Sequence, residues 1–197
     1  MSLYQLIRIV VSLAIVVGLF FILRKKLRQK VLMIGLLVVF VLADVLLCEL
    51  PIENTFVSFR TPQEAARYVG IDDVSFVIEG QSSGLVISGG QGEYQEKIFP
   101  KIADGWGLGG ESATHIRTFF SEDSVAGQLV QYKETKEYYI VVIFAGAVDS
   151  IEDSLGSTFQ TLQVGDGITS DSILVAYIPE YTSQYMLTIN DKTVNIP

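Results

Sequence analysis

Residues 80–84, Gly80-Gln-Ser-Ser-Gly84, fit the G-x-S-x-G pattern in which a nucleophilic serine sits on a sharp turn between a strand and a helix. The helix is needed because its start helps to bind the developing oxyanion. A strand-like run precedes Gly80, but Leu85-Val-Ile-Ser88 continues as a short β-like run and stops at Gly89 and Gly90. The triad order Ser82, Asp104, His115 also spans too few residues to build a hydrolase sheet. The stretch is expected to be a β-hairpin loop, with Ser82 lacking a base to activate it, and no residue is assigned a catalytic role.

Gly105-Trp-Gly-Leu-Gly-Gly110 satisfies G-x-G-x-x-G, yet a dinucleotide fingerprint needs a buried strand before it and a helix after it. Here a strand-like run follows instead, so the segment reads as a glycine-rich loop carrying Trp106, a candidate partner contact that could equally fold back as a lid on the core. His115 is the only histidine, which excludes a histidine-rich zinc site; Glu111, four residues before it, has a spacing useful on a helix, but the local pattern is loop to strand. Asp149-Ser-Ile-Glu-Asp153 lacks the alternating ligands and the glycine of a calcium loop and reads as a solvated acidic loop. Cys48 is the only cysteine, so there is no internal disulfide and no thiolate cluster. A lipoprotein signal ending at Cys48 would need a small residue before it, where Leu47 stands. No metal and no cofactor is expected.

The elements that would position these residues divide the chain in two. Mean hydropathy is positive, +0.41 over 197 residues, and nearly all of the excess lies in residues 1–50. Residues 1–50 carry six Lys/Arg against two Asp/Glu, net +4, which leaves eight against twenty in residues 51–197, net −12. So acidic a domain is repelled by phosphate backbones, and no nucleic-acid partner is expected.

Two apolar runs, 4–23 and 31–50, are each long enough to cross a hydrocarbon core of about 30 Å at about 1.5 Å per residue. The basic cluster follows the first run rather than preceding it, which argues against a cleaved signal peptide. Five of the seven residues in the loop 24–30 are basic, namely Arg24, Lys25, Lys26, Arg28 and Lys30. The positive-inside rule puts this loop in the cytoplasm, with both termini and residues 51–197 outside. The expectation is a transmembrane α-helical hairpin in the plasma membrane, with the lipid bilayer as its first partner. With the turn near Leu27, Arg8 and Asp44 lie at heights that differ by about 3 Å. The expectation is either an intramembrane ion pair between them that sets which helix faces meet, or Arg8 snorkelling to the outer interface with Asp44 protonated or hydrated there.

Pro51 ends the second helix. Thr61-Pro-Gln-Glu-Ala-Ala-Arg-Tyr-Val-Gly70 carries the signals of one short helix: Thr61 as N-cap, Pro62 at N1, Glu64 closing a capping box and Gly70 as the stop. Ala65, Val69 and Tyr68 would face the core. Strands are expected at 73–79, 84–88, 93–99, 115–120, 127–133, 137–145, 158–164, 172–178, 184–189 and 193–196, with Asn190-Asp191 as a two-residue turn of the primed type. Fold class is then a helical hairpin followed by an α+β, mostly antiparallel β domain, either a sandwich or a strongly curved sheet.

Around Pro51-Ile-Glu-Asn-Thr-Phe56 and Phe59-Arg-Thr-Pro-Gln-Glu-Ala-Ala-Arg-Tyr68 the sequence resembles short, uncharacterised, membrane-anchored proteins of Gram-positive bacteria. The resemblance covers about the membrane-proximal third and implies a bacterial cell envelope, with no activity or ligand to carry over. The expected function is display of a β-rich binding or assembly domain outside the cytoplasm, with another envelope or membrane protein as partner, and not catalysis. The alternatives are a small regulatory subunit acting through its helices and an envelope hydrolase.

Overall fold

Residues 3–25, 29–89, 94–110, 114–122, 124–133, 135–164, 171–182 and 184–196 are described by a computed structural model. The two apolar runs form α1 (Leu3–Leu23) and α2 (Gln29–Glu49), which pack antiparallel. Their inner stripes repeat every three or four residues, Arg8, Ser12, Val16 and Leu19 on α1 and Leu32, Leu36, Phe40, Ala43 and Leu47 on α2. The remaining faces expose large apolar side chains along both helices. Arg24, Lys25 and Lys30 are exposed beside the connection, whereas Lys26 and Arg28 lie outside the described residues, as does the side chain of Cys48.

A 3-10 turn, Ile52–Thr55, leads to α3 (Pro62–Tyr68). Thr61 Oγ1 accepts the Glu64 N–H at 3.1 Å, as a capping box requires, but the Glu64 carboxylate reaches one residue further back, to the Arg60 N–H at 2.9 Å. At the far end Gly70 has φ +93°, and its N–H and that of Ile71 return to the carbonyls of Arg67 and Ala66, the paired bonds of a Schellman cap. Ala65 and Ala66 are fully buried.

Three antiparallel sheets follow. The first has the order β1 (Val74–Glu79), β2 (Ser83–Ser88), β3 (Gln95–Ile102), β4 (Gly105–Trp106). The second has the order β5 (Thr114–Glu122), β6 (Val125–Tyr132), β7 (Tyr138–Ala145), β10 (Asp171–Ile178), β9 (Phe159–Val164). The third joins β12 (Lys192–Ile196), β11 (Tyr185–Ile189) and β8 (Ile151–Asp153). Asn190 takes φ +53° in the hairpin turn between β11 and β12, and its Oδ1 accepts the N–H groups of Asp149 and Ser150.

Neither a two-sheet sandwich nor a single curved sheet describes this arrangement, because the sheets stack in three layers with the five-stranded one in the middle. One face of the middle sheet, with Val130, Tyr139, Val141, Ile173 and Val175, packs on Phe76, Ile78, Leu85, Ile87 and Ile98 of the first. Its other face, with Leu129, Ile140, Val142, Leu174 and Ala176, packs on Tyr185, Leu187, Ile189 and Val194 of the third. Burial on both faces explains why β7 and β10 read as continuous apolar runs rather than as alternating ones. The outer face of the first sheet, through Val86 and Phe99, is covered by α3 together with Trp106 and Leu108.

Candidate functional site

Ser82 lies in the β1–β2 hairpin as expected, but it has a carboxylate partner. Its Oγ donates to Glu137 Oε2 at 2.5 Å and its N–H to Glu137 Oε1 at 2.8 Å. Ser83 Oγ at 3.0 Å and Tyr177 OH at 3.0 Å complete the set. Burial alone would raise the Glu137 carboxyl, but donation from Ser82, Tyr177 and Ser83 outweighs it and holds the group below the usual carboxylate range. A carboxylate stabilised in this way accepts hydrogen bonds and is a poor base toward serine. Tyr177 is pushed up to about 12, first by burial and then by the same carboxylate. The cluster ties one end of the first sheet to the second. Gly80 is required there, since a Cβ would stand 2.6 Å from the Tyr177 ring and 2.7 Å from Tyr139 OH. Asp104 is exposed, Glu111 lies outside the described residues, and of His115 only the backbone in β5 is described.

Trp106 is not available to a partner. It is 4% exposed and closes the core over Gly84, whose Cβ would lie 3.0 Å from the indole. Backbone bonds in both directions between Phe59 and Trp106, each 2.8 Å, fix the glycine-rich segment. Asn54 pairs with both backbone groups of Leu108, donating to its carbonyl at 2.9 Å and accepting its N–H at 2.7 Å.

Arg8 and Asp44 do not form the expected ion pair. Arg8 Nε lies 3.8 Å from Glu53 Oε1, and the guanidinium stacks on Tyr4 at 4.0 Å. Asp44 is half-buried and forms no salt bridge among the described residues. The reason is the 3-10 turn after Pro51, which brings Glu53 to the same end of α1. The stretch 149–153, expected as a solvated acidic loop, instead enters β8 over Ile151–Asp153. The half-buried Asp153 carboxylate caps the turn that follows, accepting from the N–H groups of Leu155 and Ser157 and from Tyr185 OH. No group of three His, Cys, Asp or Glu residues among the described ones is placed to hold a metal ion.

The feature that sequence reasoning missed is a groove of about 560 Å³ where the middle sheet extends beyond the first. Two cross-strand rungs form its floor, Phe119–Gln128–Val141 and Ser121–Ala126–Ile143–Ile173. The neighbouring pair Ile87–Glu96, from β2 and β3, forms its wall with Tyr94. Phe119 is 73% exposed and Ile143 41%, so part of the apolar floor faces solvent. The polar groups are few. Gln128 Nε2 donates to Glu96 Oε1 between the two sheets, and Ser121 lies at the rim. Burial raises the Glu96 carboxyl, opposed by the Gln128 bond. Apolar walls with one oriented polar pair are the usual makeup of a small-molecule pocket, and the volume lies within the range of about 300–1,000 Å³ that such pockets occupy.

No protein-family model, curated protein or solved structure matches the chain. Function has to be read from the geometry.

Proposed function

We propose that this chain is a two-pass plasma-membrane protein of a bacterial envelope that presents its β domain outside the cytoplasm and acts by binding an apolar ligand in the groove between the first and second sheets. The groove carries this reading. Where the middle sheet reaches past the first, it leaves Phe119 and Ile143 uncovered among the described residues, beside the half-buried Glu96 carboxylate. Support for the anchor comes from the apolar side chains exposed on the outward faces of α1 and α2, which suit lipid and not water, and from the basic residues at their connection.

The alternatives fare worse. A regulatory subunit acting through its helices would present polar groups to a third helix, whereas Arg8 and Ser12 are buried inward and only the half-buried Asp44 is left inside the spans among the described side chains. A serine hydrolase would need a base, and the carboxylate beside Ser82 is held in its ionised, weakly basic form.

Calorimetry tests the binding half, using the full chain in lipid nanodiscs with empty discs as reference. Saturable binding of 4-phenylbutanol is expected, and its loss in Ile143→Asp; no saturable heat above empty discs would remove the reading. For topology, in a Cys48→Ser background, Asp191→Cys is expected to react with an impermeant maleimide in intact cells and Gln29→Cys only after permeabilisation. The reverse pattern would invert the orientation.

A further inference from the structure

We infer that the groove selects an amphipathic amine, with its apolar body along Phe119, Ile143, Ile173 and Ile87 and its cationic nitrogen at the Glu96 carboxylate. This rests on the groove being a ligand site, and it names the ligand's chemistry.

Charge complementarity is the main ground. Among the described residues lining the groove Glu96 carries the only formal charge, and no Lys, Arg or His lies with it. The domain around it has a net charge of −12, so an anionic head would meet repulsion at long range and a carboxylate at contact. The second ground is the state of Glu96 itself. Its hydrogen-bond partner is a neutral amide on Oε1, and Oε2 has none among the described residues. A carboxylate half withdrawn from water beside apolar walls gains more from an ammonium than an exposed one would, because the pair forms where water competes poorly. The raised carboxyl reports the same desolvation. The third ground is geometric. Glu96 is the cross-strand neighbour of Ile87 and faces Gln128, which sits between Phe119 and Val141 on one rung, so an acceptor stands beside the apolar side chains of a mostly apolar floor. A molecule with an apolar body and a single terminal amine satisfies both at once.

Three probes that share one body and differ only in the head separate the possibilities: 4-phenylbutylamine, 4-phenylbutanol and 4-phenylbutanoate, each titrated into the nanodisc-embedded full chain. The amine is expected to bind about tenfold more tightly than the alcohol, as a charge-assisted hydrogen bond in a partly desolvated site allows, with the carboxylate weakest. Glu96→Gln, which keeps size and the Gln128 contact, is expected to bring the amine down to the affinity of the alcohol without lowering the thermal midpoint. Glu96→Asp should retain a preference for the amine. If all three probes bind equally, or if Glu96→Gln leaves the preference intact, the amine assignment is overturned while the groove remains a binding site. If none binds, the groove reading falls with it.

Discussion

Arg8, five residues into α1, lies 3.8 Å from Glu53 in the turn that follows α2, and neither side chain makes a hydrogen bond among the described residues. They are 5% and 1% exposed, so the first helix is held against the base of the domain by a charge pair almost wholly out of water. Tyr4 adds an edge contact to Tyr68 of α3 with ring centroids 6.2 Å apart.

A buried pair without supporting hydrogen bonds contributes little net stability, but removing one member strands the other. Arg8→Leu and Glu53→Leu are each expected to destabilise the full chain by about 3–5 kcal/mol, whereas the double substitution returns close to the parent. Thermal midpoints of the four chains in nanodiscs would check this. A double variant as poor as the worse single one would show that the two residues are not coupled.

That relationship also marks how far sequence reasoning reached. Counting helical rise from the basic loop placed Arg8 and Asp44 at one depth, a sound step for two straight helices. It could not register that the chain folds back after Pro51 and brings Glu53 to the end of α1. Local signals served better where the cause was local. Thr61, Pro62, Glu64 and Gly70 marked α3 to within a residue or two, and the apolar runs of β7 and β10 marked strands. Which sheet covers which face depends on contacts between distant segments, so the third layer was hidden, as was β8, only three residues long. The groove was hidden for the same reason, since Phe119 and Glu96 look like ordinary strand residues until the offset of two sheets brings Glu96 to Gln128, the rung neighbour of Phe119.

The two carboxylates that link the first and second sheets should respond to pH in opposite senses. Glu137 is held below the usual range, so its contribution is present above the unfolded-state pKa and is lost as pH falls through the folded value. Glu137→Gln is expected to cost about 2–3 kcal/mol near neutrality, through weaker bonds to Ser82, Ser83 and Tyr177, and the gap to the parent should close in acid. Glu96 is raised, so its favourable contribution is present below the unfolded-state pKa and is lost as pH rises through the folded value. Glu96→Gln should therefore be neutral or stabilising at pH 7 and lose that advantage in acid. Stability curves of both variants between pH 3 and 8, a span chosen around ordinary carboxylate values, would show the opposite slopes or refute them.

Gly84 is expected to resist substitution although its position in β2 requires no unusual backbone angle. A Cβ there would stand 2.9 Å from Pro62 Cγ and 3.0 Å from the Trp106 ring, at the seam between the first sheet and α3. Gly84→Ala should destabilise by about 1–3 kcal/mol through overpacking. Trp106→Ala should cost about 3–5 kcal/mol through the cavity it leaves. In the double variant the alanine at position 84 enters space that the indole vacated, so the loss should be less than the sum of the two. Strict additivity in denaturant melts would show that the two positions do not touch.

Asn54 offers a sharper test of how the glycine-rich segment is held. Its amide donates to the Leu108 carbonyl and accepts the Leu108 N–H, a two-way bond that only a carboxamide of this length can make. Gly107 fits beneath it, since a Cβ there would stand 3.0 Å from the Asn54 amide. Asn54→Ala leaves both backbone groups of buried Leu108 without that partner, and a loss of about 2–4 kcal/mol is expected from two desolvated groups. Asn54→Asp discriminates more finely, because its volume is nearly unchanged while its donor becomes an acceptor facing the Leu108 carbonyl. If the two-way bond is what positions Leu108 and Trp106, the aspartate should be at least as damaging as the alanine at neutral pH and should recover in acid, where protonation restores a donor. An aspartate variant as stable as the parent at pH 7 would show that Trp106 is held by its packing on Gly84 and its backbone bonds to Phe59 alone.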